Sequence, residues 1–278
     1  MEPRVGIVLV NWNGREVTLA CLRSLRAVSY GNAFTVVVDN ASADGSVEAI
    51  RAAHPEVTVL PQRTNLLFAG GSNEGMRHAL AQGADLLLLL NNDTEVAPDF
   101  LGYLVERLQH EPGAGAVAPK ILYHARPDTL WFAGGEISFW SGTMRHTGIR
   151  ERDDGRHDRP HDIDYATGCA VLVTRGAVER VGMLDTGYRM YTEDADWSLR
   201  IRRAGFRVLY EPRSRVWHKV SVSTGGNLSA YKLKHKFLGN LRFFARHARW
   251  YHWLVFPWAN VLVNGAAALR YLLSTRGR

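Results

Sequence analysis

Three short clusters of polar residues each follow an apolar run, and side chains of these types can bind nucleotides and metal ions. The clusters are Asn11-Trp12-Asn13-Gly14, Asp39-Asn40-Ala41-Ser42 and Asn91-Asn92-Asp93-Thr94. The run Leu86 to Leu90 would lead Asp93 from a buried strand directly to a sheet edge, where a carboxylate can hold a divalent cation against a diphosphate. Asn, Asp, Ser and Gly are also common turn and capping residues, so a single cluster is equally well explained as a turn.

A second acidic cluster, Glu193-Asp194-Ala195-Asp196-Trp197, has three carboxylates within four residues. Their mutual repulsion can raise a pKa towards the value that a general base needs. Acids are also favoured in the first turn of a helix by its macrodipole, so simple helix capping remains an alternative. His218 follows Trp217 and is either a metal ligand or a structural histidine.

The segment NLLFAGGSNEG at 65–75 is glycine-rich and leads into a helix-like stretch. A turn of this composition could present backbone N–H groups to a phosphate. Its glycines lack the spacing of a dinucleotide fingerprint or a P-loop, which argues against a nicotinamide-dependent enzyme and a P-loop nucleotidase.

Continuous apolar runs alternate with helix-like stretches through the first 120 residues, which predicts parallel strands that are buried on both faces. The predicted strands are Val5 to Val10, Phe34 to Val38, Val57 to Leu60, Asp85 to Leu90 and Ala114 to Pro119. The predicted helices are Arg15 to Ala27, Ser46 to Ala53, Gly71 to Gln82 and Pro98 to Gln109. This order favours a doubly wound sheet with its ligands beyond the carboxyl ends of the strands, where the three polar clusters would meet.

Beyond residue 120 the pattern becomes less regular. We predict long strands at Trp131 to Trp140 and Ile163 to Thr174, separated by an exposed, mobile loop at Arg150 to Asp162. A helix is predicted at Asp194 to Ala204, where Gly205 ends it, followed by a strand at Phe206 to Tyr210.

Charge is distributed unevenly along the 278 residues, whose formal net charge is +7. Residues 200–278 contain 16 bases and one acid, whereas residues 1–199 contain 18 bases and 26 acids. A basic end of this kind indicates an anionic partner: a membrane surface, a phosphorylated substrate or a nucleic acid. The content of 46% hydrophobic residues excludes a disordered chain, and the presence of only two cysteines excludes a disulfide scaffold. No cleavable signal peptide is visible.

The stretch from Tyr231 to Leu273 interleaves bases with aromatic residues, which is typical of a helix lying in a membrane interface. Within it, Leu254 to Leu273 is 20 residues long and carries only Arg270. An interfacial helix is favoured, but a helix packed on the catalytic domain and a membrane span remain alternatives.

Taken in order, these motifs resemble the family 2 glycosyltransferases, inverting nucleotide-sugar enzymes with the GT-A fold, and in particular their rhamnosyltransferase-like branch. The resemblance covers about residues 4 to 245. It rests on VGIVLVNWNG (5–14), VVVDNASADGS (36–46), the glycine-rich segment, LLLLLNNDTEV (86–96), ATGCAVLVTRGAVERVGMLD (166–185), YTEDADWSLRIRRAGFRV (191–208) and WHKVSVSTGG (217–226).

The resemblance implies roles for individual residues. Asp194 would be the catalytic base with Glu193 beside it, while Asp93 and His218 would hold Mg²⁺ or Mn²⁺. The nucleotide sugar would contact Asn11, Asn13, Asp39, Asn40, Asn65, Phe68, Gly70, Asn73, Asn91, Asn92 and Asp93. The acceptor side would comprise Trp131, Thr167, Gly168, Asp196 and Trp197. Two positions depart from the family pattern: Asn91 replaces the first acid of its Asp-x-Asp element, and Leu67 stands where a glycine is usual.

The implied protein is an α/β enzyme with a Rossmann-like, mostly parallel sheet and flanking helices, plus a C-terminal helical tail. Residues 1–225 would form the catalytic domain, with a donor half at 1–120 and an acceptor half at 121–225, and 226–278 the tail. It would transfer a sugar to a glycan or lipid-linked acceptor at the cytoplasmic face of the plasma membrane, bound peripherally to anionic lipid through the tail. dTDP-rhamnose is the preferred donor, with UDP- and GDP-sugars open.

Competing functions are a metal-dependent nucleotidyltransferase and a non-catalytic membrane-surface protein. The Glu193-Asp194 helix argues against the first. Nucleic acid is disfavoured as a partner, because no recognised binding motif is present and residues 1–199 are acidic. The sequence does not indicate an oligomeric state.

Overall fold

A computed structural model describes residues 2–220, 230–255 and 258, with the side chains of 230–233 left aside. These residues form twelve strands and seven α-helices. The strands are β1 (Val5–Asn11), β2 (Ala33–Asp39), β3 (Thr58–Pro61), β4 (Leu86–Leu90), β5 (Thr94–Val96), β6 (Ala114–Tyr123), β7 (Arg126–Phe132), β8 (Gly135–Ser138), β9 (Thr143–His146), β10 (His161–Asp162), β11 (Ala170–Thr174) and β12 (Arg207–His218). The helices are α1 (Arg15–Leu25), α2 (Ser46–Ala53), α3 (Leu67–Ala81), α4 (Phe100–His110), α5 (Arg175–Val181), α6 (Glu193–Arg203) and α7 (Ala230–His247), and a short 3₁₀-helix follows at Trp250–Leu254.

Most strands belong to one sheet with the order β10-β12-β6-β11-β4-β1-β2-β3, to which β5 adds beside β12 and β7 beside β6. Strands β3, β2, β1 and β4 run parallel, as their continuous apolar sequences predict. All five leucines of β4 are buried. Strand β11 runs antiparallel to both β4 and β6, while β12 is parallel to β6. The predicted mostly parallel α/β sheet is confirmed.

The glycine-rich segment forms a helix rather than the predicted turn, because α3 begins at Leu67 and already contains its glycines. A Cβ on Gly75 would lie 2.3 Å from Val8 Cγ1, and one on Gly71 would lie 2.9 Å from Val10 Cγ1. These glycines therefore allow α3 to pack closely on β1.

The second half differs more from its prediction. The expected strand from Trp131 to Trp140 is broken at Gly134, whose φ of +121° is a conformation that favours glycine. After this break, β8 pairs with β9 in a separate two-stranded sheet. The expected strand Ile163 to Thr174 is regular only in β11.

The loop at 150–162 is exposed over most of its length, as predicted, but it is attached to the sheet by one buried lysine. Lys120 on β6 is fully buried, and its Nζ donates to Asp153 Oδ1 at 2.7 Å and to Asp158. A buried ammonium group needs such partners, so the two aspartates hold the loop over β6.

Helix α7 packs on α6 through a second apolar cluster, formed by Tyr165, Tyr188, Ala195, Leu199, Phe243 and Phe244. Within the described ranges, no helix is long and apolar enough to cross a membrane. The predicted segment Leu254 to Leu273 lies almost entirely outside those ranges.

Candidate active site

The ends of β1 and β2 are joined by side-chain hydrogen bonds, because the parallel register sets Asn11 opposite Asp39. Asn11 Nδ2 donates to Asp39 Oδ2 at 2.7 Å and to Ser42 Oγ at 3.1 Å. Asp39 Oδ1 in turn accepts the backbone N–H of Ser42 at 2.9 Å. Asn11 and Asp39 are both buried, so this network is a fixed part of the sheet edge.

The third polar cluster joins the same network from β4. Asn92 Nδ2 donates to Asn11 Oδ1 at 3.1 Å and to Thr18 Oγ1 at 2.8 Å, and Thr18 donates to Asn11 Oδ1 at 2.8 Å. The prediction that the three clusters meet at one sheet edge is therefore confirmed. Ser42, the last residue of the second cluster, and Thr18 complete the network. Sequence reasoning did not select Thr18, because it lies within α1 and outside the three polar clusters.

Other predicted donor-side residues shape the loops around this edge. Asn13 has a φ of +49°, and its Oδ1 accepts the N–H of Ala43 at 2.8 Å, which joins the loops after β1 and β2. Asn40 Nδ2 donates to Leu67 O at 3.1 Å, while its buried Oδ1 has no hydrogen-bond partner among the described residues. Asn65 Oδ1 accepts the N–H of Leu67 at 2.8 Å.

Leu67 adopts a φ of +60°, the left-handed conformation that favours glycine. It is the position where the sequence departs from the family's usual glycine. The loop keeps this backbone conformation in spite of the larger residue, and Asn65 and Asn40 bind the two backbone groups of Leu67.

Asn73 and Gly70, two further residues predicted on the donor side, both lie on α3 and have roles in its packing. Asn73 exchanges two hydrogen bonds with the backbone of Leu184, at 2.9 and 3.1 Å, so its amide joins α3 to the chain before α6. A Cβ on Gly70 would lie 2.9 Å from the Leu66 Cβ atom, so this helical glycine avoids a local clash.

Asp93 and His218 are brought together by the pairing of β5 with β12, in which Thr94 lies opposite His218. His218 Nε2 lies 3.1 Å from Asp93 Oδ1, and both side chains are largely buried. Burial disfavours the charged ring, but the neighbouring Cys169 sulfur and the Asp93 carboxylate raise the pKa of His218 to about 10. The edge of Trp131 packs on this ring, with centroids 4.6 Å apart, so β7 also supports the pair.

The Asp93 carboxylate is a donor type that Mg²⁺ or Mn²⁺ accepts, and the His218 imidazole lies beside it as a second candidate ligand. The two groups hydrogen-bond to each other in this structure, so His218 would have to lose its Nε2 proton to bind a cation. In the described part of the chain, no group of three or more His, Cys, Asp or Glu residues could hold a metal. A cation bound by Asp93 and His218 would therefore need further ligands from a substrate or water.

Glu193 and Asp194 begin α6. Asp194 is partly exposed, and its carboxylate accepts the N–H groups of Gly168 at 2.9 Å and Ala195 at 2.8 Å. Burial raises the pKa of Asp194 in spite of these donors. Glu193 is buried, its Oε2 has no partner among the described residues, and burial together with the neighbouring Asp194 charge raises the pKa of Glu193 to about 8.

One dipeptide connects the base to the cation pair. Gly168 donates its N–H to Asp194, and the next residue, Cys169, lies beside His218. Consecutive Cα atoms are about 3.8 Å apart, so this dipeptide holds Asp194 close to the Asp93–His218 pair. A Cβ on Gly168 would be 2.9 Å from the Phe68 ring, which explains the glycine.

The predicted acceptor residues fall into two groups. Trp131 packs on His218, while Gly168 and the Thr167 side chain both hydrogen-bond Asp194. Asp196 and Trp197 instead lie in the packed interior: Trp197 Nε1 donates to Gly182 O at 2.8 Å, and Asp196 is fully buried. The side chains of this second group are held by protein contacts, because α6 turns them away from solvent.

A family model described as "Glycosyltransferase like family 2" matches residues 3–251. Among curated proteins, an N-acetylglucosaminyl-diphospho-decaprenol L-rhamnosyltransferase of Mycobacterium tuberculosis is 27% identical over 274 residues, covering 92% of this chain and 87% of the relative. A poly-beta-1,6-N-acetyl-D-glucosamine synthase of Staphylococcus aureus is 25% identical over 228 residues, covering 80% of this chain and 51% of the relative.

Solved structures of glycosyltransferases share the fold. A mannosyltransferase of Pyrobaculum calidifontis, in complex with GDP-Man and Mn²⁺, aligns with a TM-score of 0.61 at 18% identity, covering all of this chain and 80% of the other. GalNAc-T7 with UDP, GalNAc and Mn²⁺ aligns with a TM-score of 0.66 at 16% identity, covering 87% of this chain and 48% of the other. The fold is GT-A.

Proposed function

The chain belongs to the family 2 glycosyltransferases, and we propose that it transfers a sugar from a nucleoside diphosphate to an acceptor hydroxyl with inversion, using Asp194 as general base. The proposal rests chiefly on one observation. The Gly168-Cys169 dipeptide joins a partly exposed carboxylate to a carboxylate–imidazole pair suited to a divalent cation. Inverting transfer requires a base on the acceptor side of the sugar and charge stabilisation on the leaving-group side.

The donor's nucleoside would bind at the edge formed by the ends of β1 and β2. Asn11 holds Asp39 at 2.7 Å, and this bond orients the Asp39 carboxylate to accept hydrogen bonds from a ribose or base. The unpartnered Oδ1 of Asn40 is a further acceptor at the same edge. Both groups recognise hydroxyl or amino donors, so they would contribute binding affinity for the nucleoside.

Asp93 and His218 would hold Mg²⁺ or Mn²⁺, with the diphosphate and water completing the coordination. When bound, the cation would neutralise charge that develops on the departing diphosphate. The Mn²⁺ in both related glycosyltransferase structures supports this assignment. Trp131 packs against His218 and keeps the ring oriented towards Asp93.

Asp194 would accept the proton of the acceptor hydroxyl as the oxygen attacks the anomeric carbon. The N–H groups of Gly168 and Ala195 fix the direction of its carboxylate. Because the pKa of Glu193 is raised to about 8, Glu193 is largely protonated at neutral pH. It thus adds little negative charge beside the Asp194 carboxylate, whose own pKa is raised by burial.

For the substrates, dTDP-rhamnose is the proposed donor and a lipid-linked N-acetylglucosamine the proposed acceptor. Support comes from the mycobacterial relative, whose name specifies rhamnosyl transfer to N-acetylglucosaminyl-diphospho-decaprenol. The exposed aromatic ring of Tyr191, three residues before Asp194, would stack on a sugar ring at the acceptor side.

The C-terminal region would attach the enzyme to an anionic membrane at its cytoplasmic face. Among the described residues, eight of the twelve exposed large apolar side chains lie between 237 and 258, including Phe237, Leu238 and Leu241 on α7. Lys234 and Lys236 are exposed on the same helix, and residues 230–258 contain no acid. Apolar and basic groups together are what an interfacial helix requires.

A panel of dTDP-, UDP- and GDP-sugars tests the donor assignment by thermal unfolding in the presence of Mn²⁺. Bound ligand raises the midpoint according to its concentration and affinity. We expect dTDP-rhamnose to give the largest rise in Tm, and we expect Asp39→Ala to abolish that rise. An equal rise in the Asp39→Ala protein would place the nucleoside elsewhere, and no rise with any nucleotide sugar would contradict the proposed donor class.

A further inference from the structure

Helix α7 touches the start of the helix that carries the base. Gly239 lies against residues 190–192, and a Cβ built on Gly239 would be 2.5 Å from Thr192 Oγ1 and 2.9 Å from Tyr191 O. Both distances are too short for a real Cβ atom, so a glycine is required for this contact. Thr192 is the N-cap of α6 and immediately precedes Glu193 and Asp194.

The backbone at this contact is strained. Tyr191 and Thr192 have φ values of +70° and +77°, two successive left-handed residues without a glycine, and the second is β-branched. The buried Thr192 hydroxyl also has no hydrogen-bond partner among the described residues. Such a conformation is unfavourable and persists only where surrounding contacts hold it. The surface of α7 around Gly239 is one such contact.

A second contact lies two residues beyond the base. His247, at the end of α7, places its Nε2 2.7 Å from Asp196 Oδ1, and both groups are buried. Arg203 Nη1 lies 2.8 Å from the other ring nitrogen of His247, and a guanidinium can only donate. His247 Nδ1 is therefore the acceptor, and the proton of the neutral ring is on Nε2, from which it is donated to Asp196. Arg200 Nε holds the other Asp196 oxygen at 2.8 Å.

We infer that Gly239 and His247 of α7 are positioning residues for the reaction: they hold the first turn of α6, and so orient the Asp194 carboxylate towards the acceptor hydroxyl. This inference rests on the proposed role of Asp194. Neither residue touches the donor edge formed by β1, β2 and β4. Their loss should therefore reduce the catalytic step while leaving nucleotide-sugar binding intact.

The size of the effect follows from the sensitivity of catalysis to geometry. A displacement of about 1 Å in a reacting group can reduce the rate by about 10²-fold. Among the described residues, two side chains at the end of α7 contact Asp196: His247 at 2.7 Å and Arg246 at 3.3 Å. Removing the His247 ring breaks the shorter of these contacts. We therefore expect a fall in kcat of about ten- to a hundredfold.

The test compares His247→Ala with His247→Gln in steady-state transfer from dTDP-rhamnose to a short-chain polyprenyl diphospho-N-acetylglucosamine. We expect His247→Ala to lose kcat by that factor with the donor KM within about threefold of the unmodified enzyme. Gln keeps an N–H donor where Nε2 stood and should restore most of kcat. Gly239→Ala should show the same separation of kcat from KM.

Arg242→Ala is the matched control on the same helix. Arg242 binds Asp185 at 3.1 Å and packs over Tyr188, so its hydrogen-bond partner among the described residues lies before α6 rather than on it. We expect it to lower Tm while retaining kcat. Equal losses of kcat in Arg242→Ala and His247→Ala would show that α7 is generally loosened, and would overturn the positioning role. An unchanged kcat in His247→Ala would also overturn it. Asp194→Asn in the same assay distinguishes failure of the proposed base from failure of the positioning role. An active Asp194→Asn protein would contradict the proposed base itself.

Discussion

Glu193 is a residue of the candidate site whose carboxyl does not ionise in its usual pH range. Its carboxyl is buried next to Asp194, and the pKa of Glu193 is raised to about 8. An unfolded chain would release this proton near the usual glutamate value of about 4.3. Between these two values Glu193 carries its proton in the folded protein but not in the unfolded chain, so its contribution to the free energy of unfolding falls as the pH rises through them.

We predict that Glu193→Gln removes this pH dependence. The amide cannot ionise, so the variant should be more stable than the unmodified protein near pH 8.5, and its Tm should change less between pH 5.5 and 8.5. Each pKa unit corresponds to about 1.4 kcal/mol, so the difference should be readily measured by thermal unfolding across that range. Parallel Tm curves for the two proteins would show that Glu193 ionises normally in the folded state.

Asp196 belongs to the acidic cluster, but its contacts are structural. The acidic cluster predicted a functional first turn of α6, and the family resemblance assigned Asp196 to the acceptor side. The helical twist separates the two aspartates, since Asp194 faces Gly168 while Asp196 is enclosed by Arg200 and His247. The histidine partner lies 51 residues away, and no local pattern could have identified it.

At the scale of elements, the glycines of α3 set how closely the helix approaches the sheet below the donor edge. We predict that Gly75→Ala destabilises the protein, because its Cβ would lie 2.3 Å from Val8 Cγ1 and 3.1 Å from Val38 Cγ2. Overpacking of this kind costs about 1–3 kcal/mol. For a chain of this size that corresponds to a fall in Tm of about 2–4 °C per kcal/mol.

Gly102→Ala is the matched control, since Gly102 is also helical and a Cβ there would meet nothing within 4 Å. It should stabilise the protein by about 0.5–1 kcal/mol through helix propensity. Opposite signs for the two substitutions support the close packing of α3 on β1. A stabilising Gly75→Ala would contradict it.

Local sequence predicted the first half of the fold well, because strands such as β1 and β4 are continuously apolar and the intervening helices are bounded by polar residues. Helix α2 was predicted at its observed bounds, Ser46–Ala53. The meeting of Asn11, Asp39 and Asn92 followed from parallel topology alone. Contacts made by distant elements could not be predicted in this way: α3 was expected to start at Gly71 because its glycines suggest a turn, yet packing on Val8 makes them helical.

The uneven charge of the whole molecule corresponds to two regions, the candidate site and the C-terminal helix α7. The acidic 1–199 region contributes Asp39, Asp93, Glu193 and Asp194 to the candidate site. Part of the basic end is neutralised within the fold, since Arg242 and Arg246 both pair with Asp185. The exposed bases and apolar side chains of α7 remain for the proposed membrane contact.

We predict that the triple substitution Phe237→Ser, Leu238→Ser and Leu241→Ser weakens binding to anionic liposomes at least tenfold, because each apolar side chain that enters the interface contributes about 1 kcal/mol or more. Vesicle flotation measures the binding. Substitution is preferable to deleting residues 231–278, because deletion would remove Phe243 and Phe244 from the second apolar cluster. Ile149→Ser, at an exposed apolar residue outside 237–258, is the control. Equal flotation of the triple variant and the control protein would contradict membrane binding through Phe237, Leu238 and Leu241.

The most direct test of the account is the Asp194→Asn protein, which keeps the shape of the side chain and removes its basicity. Donor affinity and single-turnover transfer from dTDP-rhamnose are measured on the same preparation, with exposed Asp128→Asn as control. We predict that Asp194→Asn binds the donor within about threefold of the unmodified enzyme and transfers the sugar about 10²–10⁴-fold more slowly. Transfer at a near-normal rate by the folded Asp194→Asn protein would contradict Asp194 as the base.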